Sequence, residues 1–222
     1  MIKNEMMNGN FGIWSKRKGL EWDQDFNWKF YEEIDQWNHP LYALAKSKTH
    51  PIQIEIADFV QSKQNIYLKK ITLFNESKEN QELTLFFEQD FEREDGTAFF
   101  SLSNRSLYHE YEDYYLLFNG LLDEKGISQY TTWQKNDIQN NQLINIENGS
   151  LFFNPIAEGN VKSAFSLETT LLPFEIKHGY YWTVFGENLN EVEKLNELVK
   201  RNPEWLICDN IEMEEVFKKM VL

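Results

Sequence analysis

The stretch 65–100 limits the possible folds most, because it contains two runs in which apolar and polar residues alternate. In the second run the apolar side chains share one parity, namely Leu83, Leu85, Phe87 and Phe91, and the polar ones the other, namely Glu82, Thr84 and Glu88. A period of two residues is typical of a β-strand with one buried and one wet face. The turn-forming residues of Asn75–Asn80 join the two runs. The sequence therefore predicts two adjacent strands whose apolar face needs a second layer.

The first run, 66–74, changes parity in its middle. Ile66 and Leu68 form one apolar pair, and Ile71 and Leu73 form the next. One extra residue at Lys69-Lys70 would return both pairs to the same face, so the pattern predicts a β-bulge at that point.

Further short strands are predicted on both sides of this pair. The candidates are 52–60, 106–110, 114–119, 129–133, 161–171 and 177–185, and the Asn- and Gln-rich segment 136–149 is predicted to be a loop. Strands of this length and spacing indicate an antiparallel β-sandwich.

The period changes to a helical one near the end of the chain. Asn188 followed by Glu191 is an N-cap pattern, and apolar residues then recur at helical spacing. Asn202-Pro203 predicts the start of a second helix, since proline is favoured at the first helical position. We expect a sandwich over 1–187 and linker helices over 188–222.

Composition excludes several classes of protein. The formal net charge is −14, which disfavours binding to nucleic-acid phosphates. The single cysteine, Cys208, cannot form an internal disulfide. No apolar run approaches the roughly 20 residues of a membrane helix, and the N-terminus lacks a signal-like segment. We expect a soluble cytoplasmic protein that binds neither nucleic acid nor membrane.

A series of short segments occurs in a specific order between about residues 11 and 206. The segments are Phe11-Gly12-Ile13-Trp14, Asp58-Phe59-Val60, 66–75, 85–91, 96–100, Tyr108-His109, 114–118, Asp123 with Gln129-Tyr130, 154–161 and 188–200. Their order resembles the N-terminal domain of bacterial and archaeal glycoside hydrolases of family 15, the glucoamylase, glucodextranase and trehalase group.

This resemblance implies a fold for this chain and places catalysis on a second domain. The domain is a large antiparallel β-sandwich, the galactose-mutarotase-like supersandwich, and a helical linker joins it to an (α/α)6 barrel that carries the catalytic carboxylates. The resemblance implies that residues from Asn188 onward are the linker, that the family's first strands have no counterpart here, and that the barrel is absent. No catalytic position is carried over, and the chain alone is expected to be inactive.

The residues themselves offer only weak catalytic or metal-binding candidates. Inverting glycosidases use two carboxyl groups roughly 6.5–9.5 Å apart. Two formal pairs occur, Glu88 with Asp90 and Asp58 with Glu55, but solvated charges explain both more simply. The four histidines, His39, His50, His109 and His178, lack paired ligand spacing, so neither a metal nor a cofactor is predicted.

Aromatic side chains are the better candidates for contact with a sugar, because an indole ring suits the apolar face of a pyranose. The candidate tryptophans are Trp22, Trp28, Trp37, Trp133 and Trp182, of which Trp182 is predicted to be core. Trp133, with its neighbour Tyr130, is the predicted contact with a carbohydrate or with another domain, since it lies at a strand end before a polar loop.

Three functional hypotheses follow. The first is a non-catalytic N-terminal domain of a glucoamylase-like hydrolase, which packs on a barrel supplied in cis or in trans and takes part in α-glucan or trehalose metabolism. The second is a stand-alone module that binds an α-glucan or another oligosaccharide. The third is a protein-interaction sandwich.

Overall fold

The computed structural model describes residues 7–31, 41–61, 64–91, 93–135 and 143–207. The β-strands are β1 Met7–Ser15, β2 Gly19–Trp22, β3 Asn27–Tyr31, β4 Leu41–Lys46, β5 Ile52–Gln61, β6 Ile66–Asn75, β7 Gln81–Phe91, β8 Gly96–Ser101, β9 Ser106–Glu110, β10 Tyr115–Leu122, β11 Gln129–Gln134, β12 Ile144–Asn145, β13 Ser150–Leu151, β14 Ile156–Gly159, β15 Val161–Leu171 and β16 Ile176–Gly186. Helix α1, Leu189–Arg201, follows the last strand. Within these ranges, no helical segment has the length and apolar character that a bilayer crossing requires.

The strands form two large sheets and one short hairpin. Sheet A has five strands in the order β11-β15-β7-β1-β2. Sheet B has nine, in the order β14-β8-β9-β10-β16-β6-β5-β4-β3, and β12 pairs with β13 alone. All the ladders between these strands are antiparallel. The prediction of a mainly β, antiparallel sandwich is confirmed.

The main core lies between the inner faces of the two sheets. Sheet A contributes Leu85, Phe87 and Phe165, and sheet B contributes residues such as Ile54 and Phe118. Rings from both sheets stack here: Phe87 lies 5.2 Å from Tyr181, centroid to centroid, at an interplanar angle of 12°. The predicted inward set of β7 is therefore confirmed.

The alternation predicts that the opposite face of β7 lies in water. This prediction is wrong for part of the strand. Phe86 on that face is fully buried, and Thr84 is nearly so. The hairpin β12–β13 brings Ile144 and Leu151 against Phe86. That hairpin begins within the predicted loop 136–149, whose residues 136–142 lie outside the described ranges.

Strand β6 contains no bulge, so that prediction is wrong. Its ladders with β5 and β16 run without a break, and Lys69 and Lys70 pair in sequence with Asp58 and Ala57. The parity of the apolar residues in β6 changes because the two halves of the strand bury opposite faces of sheet B. Ile71 and Leu73 face the core between the sheets, whereas Ile66 and Leu68 belong to a second apolar cluster on the outer face.

Helix α1 covers that outer cluster. The side chain of Asn188 accepts hydrogen bonds from the backbone N–H groups of Asn190 and Glu191, which confirms the predicted N-cap. Val192 and Val199 of the helix are buried against sheet B. Helical backbone resumes at residues 205–207 and ends the described chain, and the later part of the predicted second helix lies outside the described residues.

A buried polar network fixes the position of α1 on the sheet. Asn196 Oδ1 accepts from Trp182 Nε1 at 3.0 Å and from Asn119 Nδ2 at 3.2 Å. Both asparagine amides donate to Ser106 Oγ, from Asn119 at 2.7 Å and from Asn196 at 3.3 Å. Such a network is stable only when its members are mutually satisfied, so it specifies one placement of the helix.

Candidate functional site

A cleft of about 320 Å³ lies at one end of the sandwich, between the β1–β7 side of sheet A and β3–β6 of sheet B. We call it the inter-sheet cleft. Its lining residues are Gly9, Asn10, Phe11, Asp23, Trp28, Phe30, Ala43, Ile56, Asp58, Tyr67, Lys69, Phe87, Glu88 and Tyr181. Its volume lies at the lower end of the roughly 300–1,000 Å³ of small-molecule pockets.

One wall of the cleft is a row of aromatic rings that runs from the core to solvent. Phe26 lies 5.9 Å from Trp28, and Trp28 lies 5.9 Å from Phe30 at an interplanar angle of 20°. Phe26 is buried, Trp28 is half-buried and Phe30 is 63% exposed. The facing positions on β4 are Ala45, opposite Trp28, and Ala43, opposite Phe30. Small side chains there leave space beside the rings.

The floor of the cleft is polar. Asp58, Lys69 and Tyr181 lie side by side on β5, β6 and β16. Lys69 Nζ is 2.8 Å from Asp58 Oδ1, and the two side chains keep 22% and 18% of their surface exposed. Burial raises the pKa of the Tyr67 hydroxyl, and the nearby Asp58 carboxylate adds to the effect. Burial likewise raises the pKa of Tyr181 to about 12, so both phenols are neutral hydrogen-bonding groups at neutral pH.

Sheet A supplies the opposite wall. Asn10 Nδ2 donates to Glu88 Oε2 at 2.8 Å, and Lys162 Nζ lies 3.5 Å from the other carboxylate oxygen. Asp23 is the third carboxyl of the cleft and lies in the 3₁₀ turn Asp23–Asp25. Its burial raises the pKa of that carboxyl, although backbone N–H groups, including that of Gln24, oppose the shift by donating to it.

The parity change in β6 explains why this end of sheet B is polar inside. Toward one end of β5 and β6, the inner positions are Ile54, Ile56 and Ile71, which belong to the core. Toward the other end, the inner positions are Asp58 and Lys69, and the apolar residues lie on the outer face under α1. The parity change in 66–74 is therefore the sequence signal that marks the cleft, and it does not mark a bulge.

This set of groups suits a polyhydroxylated ligand. Carboxylate and ammonium groups exchange hydrogen bonds with hydroxyls, and charged partners strengthen those bonds. Exposed rings offer an apolar surface beside them. Asp58 and Glu88 each have a lysine beside them, Lys69 and Lys162 respectively.

The residues predicted as contacts, Trp133 and Tyr130, are not brought together. They point to opposite faces of β11, and neither lines the inter-sheet cleft. Trp133 is half-buried against the cluster around Phe86. Tyr130 stacks on Phe100 with ring centroids 3.7 Å apart, and Phe153 packs edge-on against it at 5.6 Å.

The other tryptophans have varied positions. Trp28 lines the inter-sheet cleft, and Trp22 lines a second cleft of about 270 Å³ that shares Asn10 and Glu88 with the first. Trp182 is fully buried, as predicted. Trp37 lies outside the described residues.

Neither formal carboxylate pair has the arrangement of a catalytic pair. Asp58 and Glu55 lie on opposite faces of β5, because three residues separate them along a strand. Lys162 bridges Glu88 and Asp90, with its Nζ 2.7 Å from Asp90 Oδ2, and Lys135 also pairs with Asp90.

The histidines are dispersed. His109 is fully buried and its Nε2 lies 2.7 Å from Ser163 Oγ, which confirms the predicted strand position with an ordinary hydrogen bond. His50 is buried beside Ser15, and His178 is exposed next to Thr72. His39 is outside the described ranges, within which no cluster of three or more metal-ligating side chains occurs.

No protein-family model matches the chain, and no curated protein matches its sequence. Among solved structures, the fold is similar to a bacterial glucoamylase complexed with acarbose, with a TM-score of 0.68 and 14% identity over 92% of this chain. It is also similar to a protein assigned as a kojibiose phosphorylase from the human microbiome, with a TM-score of 0.57 and 13% identity over 91% of this chain. The match covers 30% of the glucoamylase and 26% of the phosphorylase. This chain thus has a sandwich fold that makes up under a third of two larger carbohydrate-active proteins.

Proposed function

We propose that this chain is a non-catalytic, carbohydrate-associated β-sandwich domain of the kind that precedes the catalytic barrel in glucoamylase-like glycoside hydrolases. The observation that carries the proposal is the fold match, which spans nearly all of this chain but under a third of a glucoamylase. The ordered sequence segments between residues 11 and 206 support the same assignment. In this role the sandwich packs on an (α/α)6 barrel, in cis or in trans, in α-glucan or trehalose metabolism.

The carboxyl groups of the cleft support a role without hydrolysis. An inverting glycosidase needs one carboxyl group to donate a proton and a second to activate water. Here Asp58 and Glu88 have hydrogen-bonding and cationic partners. Asp23 remains, and its raised pKa makes it the group to test.

Helix α1 shapes the proposed connection to the barrel. The division that we propose places the sandwich in 1–187 and the linker in 188–222. Because α1 packs on sheet B through Val192, Asn196 and Val199, the connection would leave the sandwich only beyond that helix.

The test is a hydrolysis assay on the purified chain with maltooligosaccharides and trehalose. We expect no release of glucose above the buffer control. Release that disappears in Asp23→Asn or Asp58→Asn would overturn the proposal and assign the reaction to the cleft. Release that persists in both variants would point to a contaminating enzyme, and repurification should then remove it.

A surface near β11 favours protein interaction as a second candidate function. Phe152 and Phe153 are 53% and 71% exposed, and Phe153 adjoins the Tyr130–Phe100 stack. Neighbouring exposed apolar side chains are typical of contact surfaces. If this surface binds a second copy, sedimentation should show a mass that increases with concentration and returns to the monomer value in Phe153→Asp. A strict monomer at high concentration would exclude self-association.

A further inference from the structure

We propose that the inter-sheet cleft binds one terminal pyranose unit of a neutral oligosaccharide. The inference deepens the proposed carbohydrate association and rests on it, but it assigns binding to residues that the sequence did not single out together. These residues are Phe30 and Trp28 as the stacking surface, and Asp58, Lys69 and Asn10 as hydroxyl partners.

The size of the cleft favours a terminal unit over an extended chain. Its volume of about 320 Å³ is at the low end for a ligand site. Phe87 and Tyr181 close it from below, because their stacked rings belong to the main core. A ligand therefore enters at the mouth, where Phe30 is exposed, and ends against the floor.

The aromatic wall offers ring surface rather than polar groups. The indole Nε1 of Trp28 already donates to the backbone oxygen of Asp23 at 2.6 Å. Trp28 is half-buried and stacks on Phe30, with ring centroids 5.9 Å apart, so Phe30 supplies most of the exposed ring surface at the mouth. The apolar face of a pyranose would cover Phe30, whose ring is exposed and is not part of the main core.

The floor provides acceptors and a donor at fixed positions. Lys69 Nζ lies 2.8 Å from Asp58 Oδ1 and 5.8 Å from the centroid of the Tyr67 ring. Both charged groups keep part of their surface exposed toward the cleft. A sugar hydroxyl can donate to the carboxylate while a second accepts from the ammonium, with no rearrangement of the pair.

The charge balance of the lining selects a neutral ligand. Three carboxyl groups, Asp23, Asp58 and Glu88, line the cleft with one lysine, Lys69. A phosphorylated or uronic sugar would bring a further negative charge into this partly desolvated space, at an electrostatic cost.

The experiment measures binding of glucose, maltose, maltotriose and trehalose by calorimetry. Phe30→Ala should weaken binding by roughly 3- to 10-fold through loss of the ring contact. Asp58→Asn should weaken it by roughly tenfold or more through loss of a charged acceptor. Phe174→Ala is the matched control, because Phe174 is a similarly exposed ring, 55% accessible, in the β15–β16 turn.

The outcomes separate this inference from the proposed function. Weaker binding in Phe30→Ala, with Phe174→Ala unchanged, supports the cleft. Absence of heat for every sugar at millimolar concentration overturns the cleft and leaves the domain-packing role intact. Sugar binding that only Phe153→Ala weakens would also overturn the cleft as the binding site, since the site would then be the surface near Tyr130. Tighter binding of glucose 6-phosphate than of glucose would refute the selection for neutral ligands. Sugar cleavage during the titration would instead refute the non-catalytic role.

Discussion

Acid should destabilise this protein through His109, whose imidazole is completely buried between the two sheets. The groups around it are Ser163, which shares its hydrogen bond, and the Asp90–Lys135 ion pair. Nδ1 has no hydrogen-bond partner among the described residues. Burial, assisted by the positive charge of Lys135, lowers the pKa of His109 from 6.5 to about 3. The native state therefore holds a neutral imidazole.

The size of the effect follows from the two pKa values. The contribution of His109 to the free energy of unfolding is fully present above pH 6.5. It is lost as the pH falls, because the unfolded chain then binds a proton that the native state does not bind. Each pH unit in this interval lowers the free energy of unfolding by about 1.4 kcal/mol. The expected loss from His109 alone is roughly 2 kcal/mol at pH 5 and roughly 4 kcal/mol at pH 3, where half of the native imidazoles are protonated.

Urea unfolding at pH 7.5 and pH 5, followed by circular dichroism, measures this loss. His109→Gln should reduce the difference in unfolding free energy between the two pH values by roughly 2 kcal/mol. His178→Gln, a change at an exposed histidine, should leave the wild-type difference unchanged. Equal differences in the wild type and in His109→Gln would refute the reasoning. The loss due to Glu21 and Asp90, whose pKa values are lowered by hydrogen bonds that outweigh burial, remains in all three proteins.

Three substitutions test the packing of the sandwich, each by urea unfolding at neutral pH. Asn196→Ala should cost about 2–4 kcal/mol, because it leaves the buried donors of Trp182 and Asn119 without their acceptor. A loss below about 1 kcal/mol would mean that water replaces the amide. Asn188→Ala should cost about 1 kcal/mol by removing the N-cap of α1, and no change would show that the cap is dispensable. Gly149→Ala should cost about 1–3 kcal/mol, since Gly149 has φ +66° and an added Cβ would lie 2.4 Å from the Trp14 ring. Unaltered stability would show that Trp14 can move aside.

Much of the fold could be predicted because single strands carry their own pattern. The inward set of β7 and the cap at Asn188 follow from residues within one element. The burial of Phe86 does not, because it depends on a hairpin almost 60 residues further along the chain. Asn196 is another example: an asparagine on an amphipathic helix is ordinarily solvated, and only the positions of Trp182 and Asn119 make it buried.

The candidate site was harder to predict because its lining comes from seven strands and the 3₁₀ turn Asp23–Asp25. The sequence indicates that the Trp28 ring could contact a sugar, but it does not show that Phe30, Asp58 and Lys69 lie beside it. Their proximity depends on the strand order β3-β4-β5-β6, which a single sequence does not reveal. Trp133 and Tyr130 remain predictions for a contact surface, on opposite faces of β11.

The change of buried face within β5 and β6 separates two requirements that proteins often have to satisfy with the same residues. At the cleft end of β5 and β6, the apolar side chains Phe59, Ile66 and Leu68 lie on the outer face beneath α1, so part of the stability there is supplied from the reverse of the sheet. Substitutions at Asp58 or Phe30 can therefore alter what the cleft recognises while the fold persists. Loss or gain of one residue at Lys69-Lys70 would have the opposite result, since it would exchange the two sides of β6 and turn core side chains toward water. Specificity at this site can thus diversify by substitution, whereas the strand length must be conserved.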